Sequence, residues 1–581
     1  MVKRMKIHIE KLYVLIMAAA IVLAGIGGCG KKEAQLQDRE GKGKRGGVLR
    51  VALTGELRSL DPARVGDTAS GLIAEQIYNG LVEFDNELKI RPVLAESWTV
   101  TEGGKVWRFN LRQDVKFHDD PSFPGGKGRK LVAGDIKYSF ERIVNANTLS
   151  TGWWLFNGKI KGANDYREEN ALAEKENRES RIKDVEGFKV IDAYTFQIEL
   201  TRPFAPFINL MAMSYTWVVP KEAVEYYGKD FFKHPVGTGP FMLEEWSPGL
   251  RVIMKRNPEY WEADEDGVQL PYLDGINIRI LRDNLVAFME FDKGNFDYSG
   301  IPPEVWDKVM TKENKLTSKY QKYQLVKTSS LDTGYYGFMM THSPIGTNKD
   351  LRQAFNYAID RQSIIDNVLN GRGIPAKGAL PPEMPGFNKE LKGYDYDPAK
   401  AKELLAKAGF SNGFPNGKGL GEITLQLNSG GTTNEDVAEA IQDQLGKVGI
   451  NVKLSIISWP QHLDSVDRGT TQFFRMGWVA DYPDPENFLA LFYSKNFSPE
   501  GPNSTRFSNE EFDKLFEEAL NLTDFDKRLK LYQKAEEIVV EEAPWLFISH
   551  GVGYVLLQPN LRNMVFLPMA INRYKVVWLE K

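Results

Sequence analysis

A change of texture inside the chain, and its reversal near the end, constrains the fold most. Up to about residue 284 short alternating runs are joined by tight turns. Val48 to Thr54 alternates and is closed by Leu60-Asp61-Pro62, and Asp67 stands as cap before Leu72, Ile73, Gln76 and Ile77 at helical spacing. Trp98 to Thr101 and Val106 to Leu111 flank Glu102-Gly103-Gly104-Lys105; Phe188 to Ile191 and Tyr194 to Leu200 flank Asp192-Ala193; Phe241 to Trp246 and Arg251 to Arg256 flank Ser247-Pro248-Gly249. Each pair predicts a hairpin. Residues 157 to 184, crowded with Glu, Lys, Arg and Asn, predict an exposed insertion.

Beyond residue 284 the punctuation turns helical. Asp397-Pro398 offers an N-cap acceptor and proline at N1, Ala401, Leu404, Leu405 and Ala408 follow, and Gly409 stops the helix. Asn434 to Val448 precedes Gly449 and a strand from Asn451 to Ile457, and Glu510 to Leu520 and Asp526 to Glu541 predict two further helices. Strands alternating with helices imply an α/β lobe. After Pro544 strand-like runs return, Trp545 to Ser549 and Tyr554 to Leu557. A chain of 581 residues is too long for one core and predicts two or more domains.

Charge and composition remove several functions. With 74 Lys and Arg against 78 Asp and Glu, the chain has no basic footprint for nucleic acid. An aromatic fraction of 12% is enough to line a large pocket as well as fill cores. The six histidines, at 8, 118, 234, 342, 462 and 550, show no metal-ligand spacing. There is no G-x-S-x-G elbow and no phosphate loop. Asp264-Glu265-Asp266 reads as a solvated turn, and Asp481, Asp484 and Glu486 are interleaved with Pro483 and Pro485, unlike a calcium loop. No catalytic residue, metal or cofactor is assigned. Two carboxylates facing a cleft would suffice for a glycosidase, which keeps a secreted hydrolase as the enzyme alternative.

Lys3, Arg4, Lys6 and Lys11 precede an uncharged run from Leu12 to Gly28 ending in small residues, the pattern of a secretory leader over 1–28. Cys29 is the sole cysteine, so it has no partner for an intramolecular disulfide. Gly30 to Gly47 carries almost nothing apolar and reads as a flexible tether. Ile26-Gly27-Gly28-Cys29 resembles the bacterial lipobox, which implies lipidation of Cys29 as the first mature residue. The alternative is an incidental cysteine in a plain leader or an uncleaved anchor.

Nine segments in order carry a wider resemblance: Gly46-Gly47-Val48-Leu49 with Ser59-Leu60-Asp61-Pro62; Ile77 to Leu81; Leu94-Ala95-Glu96-Ser97-Trp98; Phe109 to Arg112 with Val115 to His118; Asp135 to Arg142; Pro235 to Phe241; Arg256-Asn257-Pro258 with Tyr260-Trp261; Leu351 to Ala354 with Ala358 to Arg361; and Gly477 to Pro485. Together they resemble the family 5 extracellular solute-binding proteins, receptors of ABC importers for peptides, nickel and related solutes. The resemblance implies an α/β, two-lobed periplasmic-binding-protein fold with the ligand in a hinged cleft. It places the lipidated cysteine and tether at 29–47, lobe I at 48–285 with an extra subdomain near 65–185, lobe II at 286–545, and a return to lobe I at 546–581.

In peptide-binding members a Gly-Trp-x-Ala-Asp segment supplies a carboxylate for the ligand's α-ammonium group, and here it maps onto Gly477, Trp478, Val479, Ala480 and Asp481. An enclosed ammonium needs a paired anion, and a charge-assisted bond is about twice a neutral one. An extended peptide could pair along Trp478 to Ala480. Asp481 could instead be a cap or turn residue before Pro483. Trp459 is a candidate pocket aromatic or a core residue, and Glu56, Leu57 and Arg58 map to the facing wall. Arg352 and Asp360-Arg361 read as structural, and Gly237 to Pro240 as a shape-fixing turn. Phe338-Met339-Met340-Thr341 departs from an asparagine common in the family, and Asp119 to Lys130 is longer than its usual counterpart. The expectation is a monomeric, non-enzymatic, lipid-anchored receptor in the periplasm or on the outer face of the cytoplasmic membrane. It would capture oligopeptides or dipeptides and deliver them to an ABC permease and ATPase. A nickel chelate, haem or an oligosaccharide is the alternative ligand.

Overall fold

The computed structural model describes residues 45–410, 423–428, 432–499, 501–522, 524–569, 571 and 573–581. The leader, Cys29 and most of the tether lie outside them. No helix among the described residues is long and apolar enough to cross a membrane.

The hairpins form where the turn residues place them. Val48–Leu53 buries Leu49 and Val51 and lies parallel to Gly275–Ile280, followed antiparallel by Arg251–Arg256 and Phe241–Ser247. A second four-stranded sheet runs Ala95–Thr101, Val106–Leu111, Thr195–Glu199 and Phe188–Asp192, with Trp98 opposite Phe109. Helix Ala133–Val144 packs on it through Phe140, whose ring meets Phe156, Phe188 and Phe196 at 5.5 to 5.8 Å. The charged insertion contains a helix, Ala163–Lys175, that buries Ala163, Tyr166 and Ala173. Asp67 caps helix Thr68–Ile77 by accepting from Ser70 N at 2.8 Å.

The second lobe is built on an eight-stranded sheet ordered Tyr298–Gly300, Trp545–Leu557, Asp332–Phe338, Phe473–Val479, Ile423–Asn428 and Val452–Ile457, with Gln324–Ser329 and Gly373–Pro375 also paired to Trp545–Leu557. Helices Lys349–Tyr357, Pro398–Lys407 and Thr432–Lys447 contribute to one hydrophobic cluster, and Glu510–Asn521 and Phe525–Glu542 to another. Asp397 caps its helix through Lys400 N at 2.8 Å. Tyr335 stacks on Trp545 with centroids 3.4 Å apart.

The two strand-like runs after Pro544 are one 13-residue strand, Trp545–Leu557. Its first part pairs with Asp332–Phe338 and its last with Gln324–Ser329, so the expected return at 546 falls inside a strand of the second lobe's sheet. Gly551, one of two glycines between the two runs, is no turn. Its N–H donates to Asp332 Oδ1 at 2.6 Å, and a Cβ there would lie 2.6 Å from Asp332 Oδ2. Buried Asp297 ties this strand to the first sheet: Arg50 N donates to its carboxylate at 2.6 Å, and Gln558 N to its carbonyl at 2.9 Å.

The turn Gly237 to Pro240 presses against the end of the Asp67-capped helix. Gly239 N donates to Ile77 O at 2.8 Å, and a Cβ on Gly237 would lie 2.1 Å from that same oxygen.

Candidate ligand cleft

Strand Phe473–Val479 brings the Gly-Trp-x-Ala-Asp residues to the junction of the lobes. Asp332 pairs opposite Val479, and Ala480 N donates to Leu331 O at 2.8 Å, which carries the ladder to Ala480. On its other edge the strand pairs with Ile423–Asn428 only at Phe473 and Phe474. From Gly477 onward that edge has no strand partner among the described residues, an opening for an added strand.

Val479, Ala480 and Asp481 then enter the wall of a cavity of about 330 Å³. The first lobe supplies Asp67, Glu75, Tyr78 and Glu83 from the region of helix Thr68–Ile77, and Met213, Tyr215 and Trp217 from the loop that faces it. Met569, Ile571 and Arg573 of the C-terminal segment complete it. The Trp217 ring stacks on Tyr78 with centroids 6.2 Å apart. The lobes also touch away from the cavity, where Ala205 N donates to Leu520 O at 3.1 Å.

Asp481 is fixed by Asn487. The Asn487 side chain accepts from Asp481 N at 3.1 Å and donates to Asp481 Oδ2 at 3.2 Å, while Trp478 Nε1 donates to Asn487 Oδ1 at 2.9 Å. The carboxylate faces the open cleft, yet protein surrounds it, and this displacement of bulk water raises its pKa; the Asn487 donor partly offsets the rise. No lysine, arginine or histidine pairs with it among the described residues. The turn chemistry expected of an Asp before proline is done next door, where Asp484 Oδ1 accepts from Glu486 N at 3.0 Å. Behind the wall Asp484 pairs with Arg528 at 2.6 Å, and Glu486, held by the Tyr482 hydroxyl, is pushed up to about 7 by burial.

The other residues singled out from the sequence lie elsewhere. Glu56 is exposed and pairs with Arg282, and Leu57 and Arg58 line a separate depression with Asp120, Phe232 and Trp246. Trp459 is 42% exposed at the start of helix Trp459–Asp467 and stacks on His462 with centroids 5.7 Å apart. None of these four lines the cavity. Arg352 and Arg361 spend their guanidinium groups on main-chain carbonyls, among them Glu542 O and Phe547 O, and Asp360 caps helix Arg361–Asn367. Met339 is fully buried. Tyr215, Trp217, Asn487 and Arg573 were not found from sequence. Asn487 had a local cue, the Pro-Asp-Pro-Glu-Asn run after Asp481; the others come from segments with no periodicity or motif pointing at a cleft.

Comparison with known proteins agrees with the two-lobed fold. The family model described as bacterial extracellular solute-binding proteins, family 5 Middle, matches residues 89–499. The chain is 31% identical over 510 residues to the dipeptide-binding protein of Escherichia coli K12, covering 87% of this chain and 89% of that protein. It is also 31% identical over 514 residues to heme-binding protein A of Haemophilus influenzae, covering 87% of each. Among solved structures it resembles the periplasmic binding protein DppA of Helicobacter pylori in complex with the peptide STSA, with a TM-score of 0.70, 27% identity and coverage of 93% of this chain and 99% of that one. A two-lobed α/β fold with a cavity where the lobes meet, and a family match across most of its length, make this chain a member of the family 5 bacterial extracellular solute-binding proteins.

Proposed function

We propose that this protein is the lipid-anchored receptor of an ABC importer, that it captures short peptides in the cleft, and that it performs no chemistry on them. One observation carries the peptide reading: Asp481, a carboxylate with no cationic partner among the described residues, sits at the end of a strand edge left open from Gly477. An α-ammonium group would neutralise the carboxylate, and the peptide backbone would pair along Trp478 to Ala480 without reading side chains. The dipeptide-binding relative and the peptide-bound structural neighbour support it. Cys29 supplies the anchor in this reading, and lobes divided near 285 and 545 supply the hinge, so that a ligand bridging them favours the closed state.

The heme-binding relative keeps haem as the competing ligand. Native mass spectrometry of protein purified from its own cells separates them. A ladder of bound masses that resolves into peptides supports the proposal; a single haem or sugar mass overturns it.

A further inference from the structure

We propose that Asn487, which does not line the cavity, is a positioning residue of the ammonium site: its side-chain amide holds one carboxylate oxygen of Asp481 and leaves the other free for the ligand. The inference rests on the peptide reading above. It adds what that reading leaves open, how the wall keeps a carboxylate aimed and charged with no cation paired to it among the described residues.

The direction of the amide is fixed by its donors. Trp478 Nε1 and Asp481 N both donate to one terminal atom of Asn487, at 2.9 and 3.1 Å. Two N–H groups can meet only at an acceptor, so that atom is the carbonyl oxygen and the amide nitrogen is turned to Asp481 Oδ2, 3.2 Å away. Exchanging the two ends of the amide would set its nitrogen against both donors and its oxygen against a carboxylate. One side chain thus holds the indole, the main chain and the carboxylate at the end of the same strand.

The amide is itself held from behind. Asn487 is 5% exposed and lies in the short helix Glu486–Leu489, whose Phe488 and Leu489 are fully buried. Its N–H donates to Asp484 O at 3.0 Å, and Asp484 Oδ1 accepts from Glu486 N at 3.0 Å. From helix Phe525–Glu542, Arg528 Nη2 donates to the other carboxylate oxygen of Asp484 at 2.6 Å. The contacts run from that helix through Asp484 and Asn487 to Asp481, and of these four residues only Asp481 reaches the cavity.

A donor to a carboxylate favours its charged form. At Asp481 burial pushes the carboxyl up, and the Asn487 donor works against that rise. The same bond ties Oδ2 and leaves Oδ1 without a partner among the described residues, the oxygen an ammonium can take. The other ionisable groups around Asp481 are Tyr215, Asp67, Glu75, Glu83 and Arg573 in the cavity wall and, behind it, Glu486, which is held by the Tyr482 hydroxyl and pushed up to about 7 by burial.

The test is calorimetry on the mature chain, freed of carried ligand, with Ala-Phe and N-acetyl-Ala-Phe between about pH 4 and pH 7, where the peptide amine stays protonated. Asp481→Asn is the baseline, since it keeps Glu486 and every other titrating group. Asn487→Ala removes the donor, so the pH at which the free-amine preference falls on acidification should move up. Within that fall the preference should drop about tenfold, the loss expected for one bond to a charged group. Asn487→Asp restores a donor while its new carboxyl is protonated, and the first proton leaves such a pair readily, so its fall should lie at or below the wild-type pH. A fall at the wild-type pH in folded Asn487→Ala overturns the proposal, and so does an upward move in Asn487→Asp. The second result decides even where Asn487→Ala fails to fold, because Asp matches Asn in size. A preference that Asp481→Asn abolishes but Asn487→Ala leaves at its wild-type pH removes Asn487 alone; a wild type with no free-amine preference, or one that Asp481→Asn keeps, removes the peptide reading with it.

Discussion

Replacing Asp481 with Asn tests the ammonium site through charge alone, because the substitution keeps the size and one acceptor oxygen. Asn487 donates to Oδ2 and accepts from the main-chain N–H of residue 481, and an amide can reproduce both bonds, so the wall should keep its shape. What disappears is the negative charge that Asp481 offers to the ligand's ammonium. Truncating one partner of an enclosed charge pair typically costs about 2 to 5 kcal/mol. Asp481 is open to cleft water before the ligand arrives, so the lower end, about 2 kcal/mol or roughly 30-fold in Kd, is the figure expected here. Calorimetry with free and N-acetylated peptides is the assay. Wild type should prefer the free amine, and Asp481→Asn should lose most of that preference while affecting the acetylated peptides much less. The pH dependence has a sign as well. Burial raises the Asp481 carboxyl in the unliganded cleft, so wild-type affinity should begin to fall on acidification above the ordinary carboxylate range, and the Asn variant should not share that fall. Equal losses for free and acetylated peptides would refute the reasoning and leave Asp481 a structural residue.

Three further outcomes follow from the same geometry. Glu536 is fully buried, accepts from Leu380 N at 2.9 Å and is pushed up to about 7 by burial, so its ionisation costs folded stability as pH rises from about 4.5 through 7; Glu536→Gln should gain on wild type between pH 5 and pH 8, by an amount on the order of 3 kcal/mol at most, and parallel thermal melts with a constant offset would contradict this. Gly237→Ala should lower stability by about 1–3 kcal/mol or more, because its Cβ would meet Ile77 O at 2.1 Å, and an unshifted urea midpoint would show that the turn can move away. Cys29→Ser should move the exported protein from the membrane to the soluble fraction; retention of the cleaved protein on membranes would refute lipidation.

The elements that could be read from the sequence are those fixed by neighbours a few residues away. A turn between alternating runs sets its own hairpin register, as at Trp98 opposite Phe109, and a cap such as Asp67 or Asp397 is bonded three residues on. The segment of Asp481 reaches the cavity wall for another reason, since it is contiguous and the strand Phe473–Val479 carries it there. Local reasoning failed where the deciding contact is remote. Trp545 to Ser549 and Tyr554 to Leu557 read as two runs, but the carboxylate of Asp332 lies against Gly551 between them and the strand runs on. Glu56, Leu57 and Arg58 adjoin the Leu-Asp-Pro turn, yet Arg142 pins Asp61 at 2.7 Å and the preceding residues face Phe232 and Trp246 instead of the cleft. The surroundings of Glu83 show the limit plainly. By itself the sequence determined the local elements, a leader-like start and the segment that carries Asp481; only the tertiary structure decided that Arg91, Arg573 and Lys575 gather around Glu83, because the chain brings those charges together from hundreds of residues away.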